Sequence, residues 1–355
     1  MTEPTVPLRA VVQTIPAYVP GARPQAGARL HKLSSNENPF PPLEPVLEAV
    51  RRAAADINRY PDMFAIELGE ALAGRHGVEP AAVVAGCGSV AVLGHVLQAF
   101  CDAGDEVIYA WRSFEAYPIM VRLQGAVPVE VPVLADGRHD LPAMAAAVTE
   151  RTRVLIVCSP NNPTGPAVRH EELLGLLAAV PARVLVVLDE AYVQFVRGED
   201  QVRSDEVLAA HPNLVLLRTF SKAYGLAGLR VGYAVTHPSL ARGIRTASTP
   251  FGVNHLAQAA ALASLDAEAA LAERVEAIVA ERVRVLDALR DQGHNPPQSE
   301  ANFVWLATGE RTAELARGAA DAGVLVRPFA GEGIRVTVGE ADANDRFLDL
   351  ARTWL

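Results

Sequence analysis

The chain carries two lysines, Lys32 and Lys222, against thirty arginines. Arginine stays protonated in proteins, whereas a desolvated lysine can lose its proton and attack a carbonyl. Lys32 reads as a surface remnant. Lys222 sits in Thr219-Phe-Ser-Lys-Ala-Tyr-Gly-Leu-Ala-Gly-Leu-Arg230, a small-residue loop that follows the apolar run Leu214-Val-Leu-Leu217. That is the position of a Schiff-base lysine, and the Ala and Gly content of the loop argues for close packing over a solvated basic loop. Asp189 opens Asp189-Glu-Ala-Tyr192, directly after the very apolar run 184–188. A carboxylate there is costly unless it meets a cation, which a structural ion pair would also supply. Ser159-Pro-Asn-Asn-Pro-Thr-Gly165 follows another apolar run and brings Asn162, a hydrogen-bond donor, to the same kind of position. Gly88-Ser89-Val90 leads into a helix, where free N–H groups and the positive dipole end favour an anion. Alone, that turn would be an ordinary N-cap.

Together these residues supply what pyridoxal phosphate requires: a lysine amine, a carboxylate for the pyridine nitrogen, donors for the phenolate oxygen and an anion cradle for the phosphate. The parts are Lys222; Asp189; Asn162 with Tyr192; and Ser89 with Thr219, Ser221 and Arg230.

The elements that must position them read as an α/β fold. Apolar runs of buried-strand type occupy 105–110, 154–158, 184–188, 214–217 and 231–235. Helical stretches over 46–55, 63–76, 90–100 and 171–179 accompany them. Continuous apolar strands separated by helices predict a mostly parallel sheet sandwiched by helices, with ligands beyond the carboxyl ends of its strands. After Pro250 the character changes. One long or broken helix spans 255–291, and strands at 302–306, 324–327 and 334–338 with a helix at 311–322 predict a smaller α+β domain. The expected division is an N-terminal arm at 1–44 packed on the small domain, a large cofactor-binding domain at 45–249 and a small domain at 250–355.

Bulk properties narrow the function classes. A net charge of −9 without a basic tract gives no support to nucleic-acid binding. The alanine-rich helical regions are interrupted by charge and fall short of a membrane span. Three cysteines without metal-ligand spacing read as thiols of a reducing compartment, and no signal-like segment opens the chain. These features predict a cytoplasmic enzyme without a metal.

The motifs Ser35-Asn-Glu-Asn-Pro39, Asn58-Arg-Tyr-Pro-Asp62, 159–165, 189–192, 219–230 and Gly333-Ile-Arg-Val336 resemble the fold-type I aminotransferases, in the histidinol-phosphate aminotransferase subfamily. The resemblance runs from about residue 16 to the C-terminus. Three stretches look more like the aromatic amino acid (phenylalanine) aminotransferase branch: Gly86-Cys-Gly-Ser-Val-Ala91, Tyr60-Pro-Asp-Met-Phe64 and Trp111-Arg-Ser-Phe-Glu-Ala-Tyr-Pro118. Many histidinol-phosphate enzymes carry an acidic residue shortly after the Gly-Ser turn, where this chain has Val90-Ala91. The resemblance implies transamination of aromatic amino acids with 2-oxoglutarate, with histidinol phosphate as the alternative substrate. A phosphothreonine-type decarboxylase is the more distant alternative. The resemblance also implies that Phe114 stacks on the pyridine ring and that Arg335 holds the substrate's anionic end. Tyr18 and Asn36 help close the pocket, and Tyr60 reaches the cofactor phosphate of the neighbouring subunit in a homodimer with shared active sites.

Overall fold

In the computed structural model, which describes residues 6–15 and 30–355, the apolar runs become the interior of one sheet. The strands in chain order are β1 (His31–Lys32), β2 (Val83–Gly86), β3 (Glu106–Trp111), β4 (Val127–Pro132), β5 (Thr152–Cys158) and β6 (Leu185–Asp189). They continue with β7 (Leu214–Thr219), β8 (Gly232–Thr236), β9 (Phe303–Leu306), β10 (Val324–Leu325), β11 (Arg327–Phe329) and β12 (Gly333–Thr337). The large sheet has the order β2-β8-β7-β6-β5-β3-β4, and only β8 runs against its neighbours. The side chains alternate between two cores. Ile108, Leu155, Val157, Val186, Leu188 and Leu216 face one helical layer. Val107, Val154, Ile156, Val187, Val215 and Leu217 face the other. Burial on both faces explains why these strands are uniformly apolar.

Two strands of this sheet lack that signature, and both are edges. β4, Val-Pro-Val-Glu-Val-Pro, is mostly solvent-accessible and carries prolines that an interior strand could not accept. β2 is only four residues long.

The long helical stretch of the C-terminal part is broken at Ala267 into His255–Asp266 and Glu268–Asp291. Ala257, Ala260, Ala261 and Leu265 of the first piece join the large-sheet core. Val285, Leu286 and Leu289 of the second join a separate core with Val304, Leu306, Ile334, Val336 and Phe347. That core covers a three-stranded antiparallel sheet, β11-β12-β9. The stretch read as one strand at 324–327 divides: β10 pairs in parallel with β1, and β11 pairs with β12. Of the N-terminal segment, residues 31–33 extend this second region, with Leu33 N donating to Leu325 O at 2.8 Å. Farther back, Ala10–Thr14 forms a short helix beside Ala116–Leu123, where Arg9 Nη1 donates to Leu123 O at 3.2 Å.

Candidate active site

Asp189 is the last residue of β6, Cys158 of β5 and Thr219 of β7, so three adjacent parallel strands end together. Asp189 is 6 % exposed. Its Oδ2 accepts a 2.7 Å hydrogen bond from the hydroxyl of Tyr117. Its Oδ1 has no hydrogen-bond partner among the described residues. Burial pushes its pKa up to about 6 although the Tyr117 hydroxyl pulls it down. A buried carboxylate with one oxygen unmet is suited to a cationic N–H brought in by a ligand.

The loop after β7 is folded on itself. Leu226 N donates to Phe220 O, and Gly225 N to Lys222 O. Asn38 Nδ2 clamps the loop by donating to Ala223 O at 2.9 Å. Lys222 therefore points inward, and its Nζ donates to the carbonyls of Ser35 and Asn36, each at 3.2 Å. Burial lowers its pKa to about 7. The positive charges of Arg335 and Arg230 add to that, while Glu37 opposes it. A neutral amine is thus accessible near neutral pH, the condition for a nucleophile or base.

The residues expected to hold an anion line the same cavity as this amine. Gly88 has φ +82°, and a Cβ on it would come within 2.6 Å of Arg230 Nη2. The guanidinium therefore packs directly on the backbone that opens helix Ser89–Phe100. Arg230 itself holds a left-handed φ of +61°, a strained state for a side-chain-bearing residue. Its Nη1 donates to Ala227 O at 3.1 Å and to Ser221 Oγ at 3.4 Å. A helix N-terminus, a guanidinium and the hydroxyls of Ser89, Thr219 and Ser221 converge here, a donor set matched to a phosphate.

The second sheet closes the other side. Arg335 of β12 donates from Nη1 to Asn162 Oδ1 at 2.6 Å and from Nη2 to Ser34 O at 2.9 Å. Asn36, also in a left-handed conformation, ties the parts together. Its Nδ2 donates to the Tyr192 hydroxyl at 2.9 Å, and its N–H donates to Thr337 Oγ1 at 2.9 Å. Because Tyr192 accepts from Asn36, its own proton is left to donate into the cavity. Because Asn162 Oδ1 accepts from Arg335, its NH₂ is likewise directed elsewhere.

These groups line one cavity of about 490 Å³. It gathers Asn36, Ser89, Val90, Phe114 and Asn162 with Asp189 and Tyr192. Thr219, Ser221, Lys222, Arg230 and Arg335 complete it, so twelve of the expected site residues meet in one place. Gly88 adjoins them through its contact with Arg230. Tyr60 does not reach the cavity of its own chain: it is 83 % exposed and stacked on Phe251 at 4.7 Å. Tyr18 lies outside the described residues.

Sequence reasoning missed two side chains. Tyr117, fully buried beneath Asp189, gave no signal beyond its place in the Trp111–Pro118 stretch. Arg327, which lines the cavity, was hidden in a short strand-like run. The apolar lining of Ala116, Ile119 and Met120 comes from helix Ala116–Leu123, which the sequence pattern did not single out.

Comparison with known proteins bears on this geometry. Residues 28–350 match the sequence profile of aminotransferase class I and II. An aromatic amino acid aminotransferase of Streptomyces coelicolor is 54 % identical over 99 % of this chain and 98 % of that protein. One from Thermobifida fusca is 53 % identical, over 98 % and 97 %. The crystal structure of histidinol-phosphate aminotransferase from Sinorhizobium meliloti in complex with pyridoxal-5'-phosphate superposes with a TM-score of 0.88. Its identity is 30 %, and 98 % of each chain is covered. The chain belongs to the class I and II aminotransferases, with the fold-type I architecture of that family.

Proposed function

We propose that this enzyme transaminates aromatic amino acids, chiefly phenylalanine and also tyrosine, using pyridoxal phosphate and 2-oxoglutarate as the amino acceptor. The observation that carries the substrate class is the 54 % identity, over almost the whole chain, to an aromatic amino acid aminotransferase. The cavity agrees: Phe114, Ala116, Ile119 and Met120 give it an apolar wall beside Arg335.

Pyridoxal phosphate, when bound, supplies an aldehyde for amines and a ring that accepts electrons from the substrate's Cα. The residues present fit it. Ser89, Thr219, Ser221 and Arg230 would hold the phosphate, with the amides around Gly88 and Val90. Asn162 and Tyr192 would donate to the phenolate oxygen, and Phe114 would cover the ring face. Asp189, with its unmet Oδ1, would keep a proton on the pyridine nitrogen. Lys222 Nζ would hold the cofactor through its aldehyde carbon, with loss of water. With the cofactor and substrate bound, the Lys222 amine would act as the base that takes the Cα proton and would hold it for redelivery. The Ser35 and Asn36 carbonyls, 3.2 Å away, stabilise Nζ whenever it carries that proton. Arg335 takes the substrate carboxylate in a two-point hydrogen bond. Asn36 positions Tyr192 and helps close the cavity, and Tyr18 is assigned to the same closure.

Tyr60, Met63, Phe64, Ile66 and Phe251 form an exposed apolar surface. A second copy of this chain would cover it and receive Tyr60 at its cofactor phosphate, so the proposal includes a homodimer with shared active sites. It also retains a large unit built on the seven-stranded sheet and a small one on β11-β12-β9, with helix His255–Asp266 given to the larger because it packs there. The three cysteines are free thiols, in keeping with a cytoplasmic location. Among the described residues, no helix is long and apolar enough to cross a membrane.

The test is kcat/KM for phenylalanine and for histidinol phosphate, each with 2-oxoglutarate. A preference of about a hundredfold or more for phenylalanine, roughly 2.7 kcal/mol of transition-state binding, supports the aromatic assignment. The reverse preference would move the enzyme to histidinol phosphate, the substrate named for the Sinorhizobium meliloti relative.

A further inference from the structure

Arg327 and Arg335 are directly opposite each other in the β11–β12 ladder. Cross-strand partners share one face of a sheet, and both arginines line the cavity. Two adjacent cations would suit a substrate with two anionic groups. Arg327, however, is already engaged: its Nη2 donates to Glu115 Oε2 at 2.6 Å, with the arginine side chain 7 % exposed and the carboxylate 28 %. Glu332 does not compete for Arg327, because it holds Arg112 through a 2.8 Å bond from Nε. Glu115 immediately precedes helix Ala116–Leu123, so the residue that neutralises Arg327 and the residues that form the apolar wall belong to one segment.

We propose that Glu115 is a specificity-determining residue that masks Arg327, so that the cavity offers one cation to a carboxylate and favours an uncharged side chain over a second anion. The inference rests on the amino acid reading above. A dicarboxylate must displace Glu115 from Arg327 before it gains a second seat, whereas an aromatic acid leaves the pair in place. Specificity here comes from what the competing ligand must break.

The test uses the cofactor-loaded enzyme and two unreactive acids, glutarate and 3-phenylpropionate, with Kd measured by calorimetry. Native enzyme binds 3-phenylpropionate at least about tenfold more tightly. In Glu115→Gln the ratio of the glutarate Kd to the 3-phenylpropionate Kd falls by about tenfold or more, and adding Arg327→Gln restores it. A general loosening of the loop would move both constants together, which would overturn the proposal. So would a tenfold loss of glutarate affinity in Arg327→Gln alone, since that would show the arginine already free to bind. Native enzyme that binds glutarate as tightly as 3-phenylpropionate would also overturn it, whereas native enzyme that binds glutarate and no 3-phenylpropionate would sink the aromatic reading itself, whatever the variants do.

Discussion

Asp189 and Glu190 are neighbours at the end of β6, both buried, and they have opposite fates. Glu190 receives Arg218 Nε at 2.8 Å on Oε2 and the Ser204 hydroxyl on Oε1. Both oxygens are satisfied, as is normal for a buried carboxylate. Asp189 receives the Tyr117 hydroxyl on Oδ2, while its buried Oδ1 has no donor among the described residues. One peptide unit separates a carboxylate with both oxygens satisfied from one that keeps a buried oxygen unmet. What sets Asp189 apart is a buried oxygen without a hydrogen-bond donor in a residue that lines the cavity; burial alone does not distinguish the two.

The most severe way to probe this contrast lies across the cavity. Lys222→Ala should lower turnover by about 10³-fold or more, while circular dichroism and the unfolding midpoint stay near those of the native chain. Near-native rates would remove the amine from the mechanism. Next, Asp189→Asn should cost about 10²-fold or more in kcat, with cofactor retained, and Glu190→Gln should leave kcat within a few-fold. Their stabilities should move in opposite directions. With a pKa raised from 3.8 to about 6, Asp189 destabilises the cofactor-free chain above pH 6 by on the order of 3 kcal/mol, so Asp189→Asn should raise its melting temperature. Glu190→Gln strands Arg218 and should lower it by about 3 kcal/mol of stability. Calorimetry showing both variants shifted the same way would break the comparison.

Arg335→Lys should raise KM for the amino acid about tenfold or more with less effect on kcat, because an ammonium cannot reproduce the planar fork. Equal losses in kcat and kcat/KM would place Arg335 in the chemical step instead.

A gentler probe is pH. Between about pH 4 and 6 the folded chain holds a proton on Asp189 that the unfolded chain has lost, so the Asp189 contribution to cofactor-free stability should fall as pH rises through that window, against an opposite contribution from buried His139, whose pKa is lowered to about 4. Between about 7 and 10.5 the folded chain lacks a proton on Lys222 that the unfolded chain keeps, so the Lys222 contribution to stability should rise there, against the buried thiols of Cys101 and Cys158, which pull the other way above about pH 9. Measured as differences from the native chain, Asp189→Asn should gain stability as pH rises from about 4 to 6, Lys222→Ala should lose stability relative to it as pH rises above about 7, and Glu190→Gln should show neither dependence. The smallest effect is expected of Tyr117→Phe, which removes the hydroxyl that donates to Asp189. It should raise the Asp189 pKa further, reduce kcat several-fold and shift the acid limb of kcat upward. An unmoved limb would show that Tyr117 only fills space.

Much of this was legible because burial writes itself into composition. The runs that became β5, β6 and β7 are apolar on both faces, and the chemistry-bearing residues follow directly on their ends. Edge strands escaped the same reading: β4 is half exposed and interrupted by proline. Tyr117 escaped for another reason. Its partner Asp189 is 72 positions away, and no local pattern records so distant a hydrogen bond. Glu115 and Arg327 are farther apart still, at 212 positions. The cavity's principal groups were visible as motifs, whereas the groups that tune them became visible only as contacts.

The edge strand β4 has a bearing on how this enzyme behaves at high concentration. Val127 N and Val133 N donate inward to Asp105 O and Trp111 O. The alternate positions, Pro128, Glu130 and Pro132, therefore aim their backbone nitrogens outward, and two of the three have no hydrogen to give. A foreign strand laid along that border would find a single donor flanked by two pyrrolidine rings, with a carboxylate-bearing residue between them. The border is thus closed to growth of the sheet by strand addition. Purified stocks should resist fibrillar clumping from that side, and replacing Pro128 and Pro132 by threonine would be the direct way to reopen it.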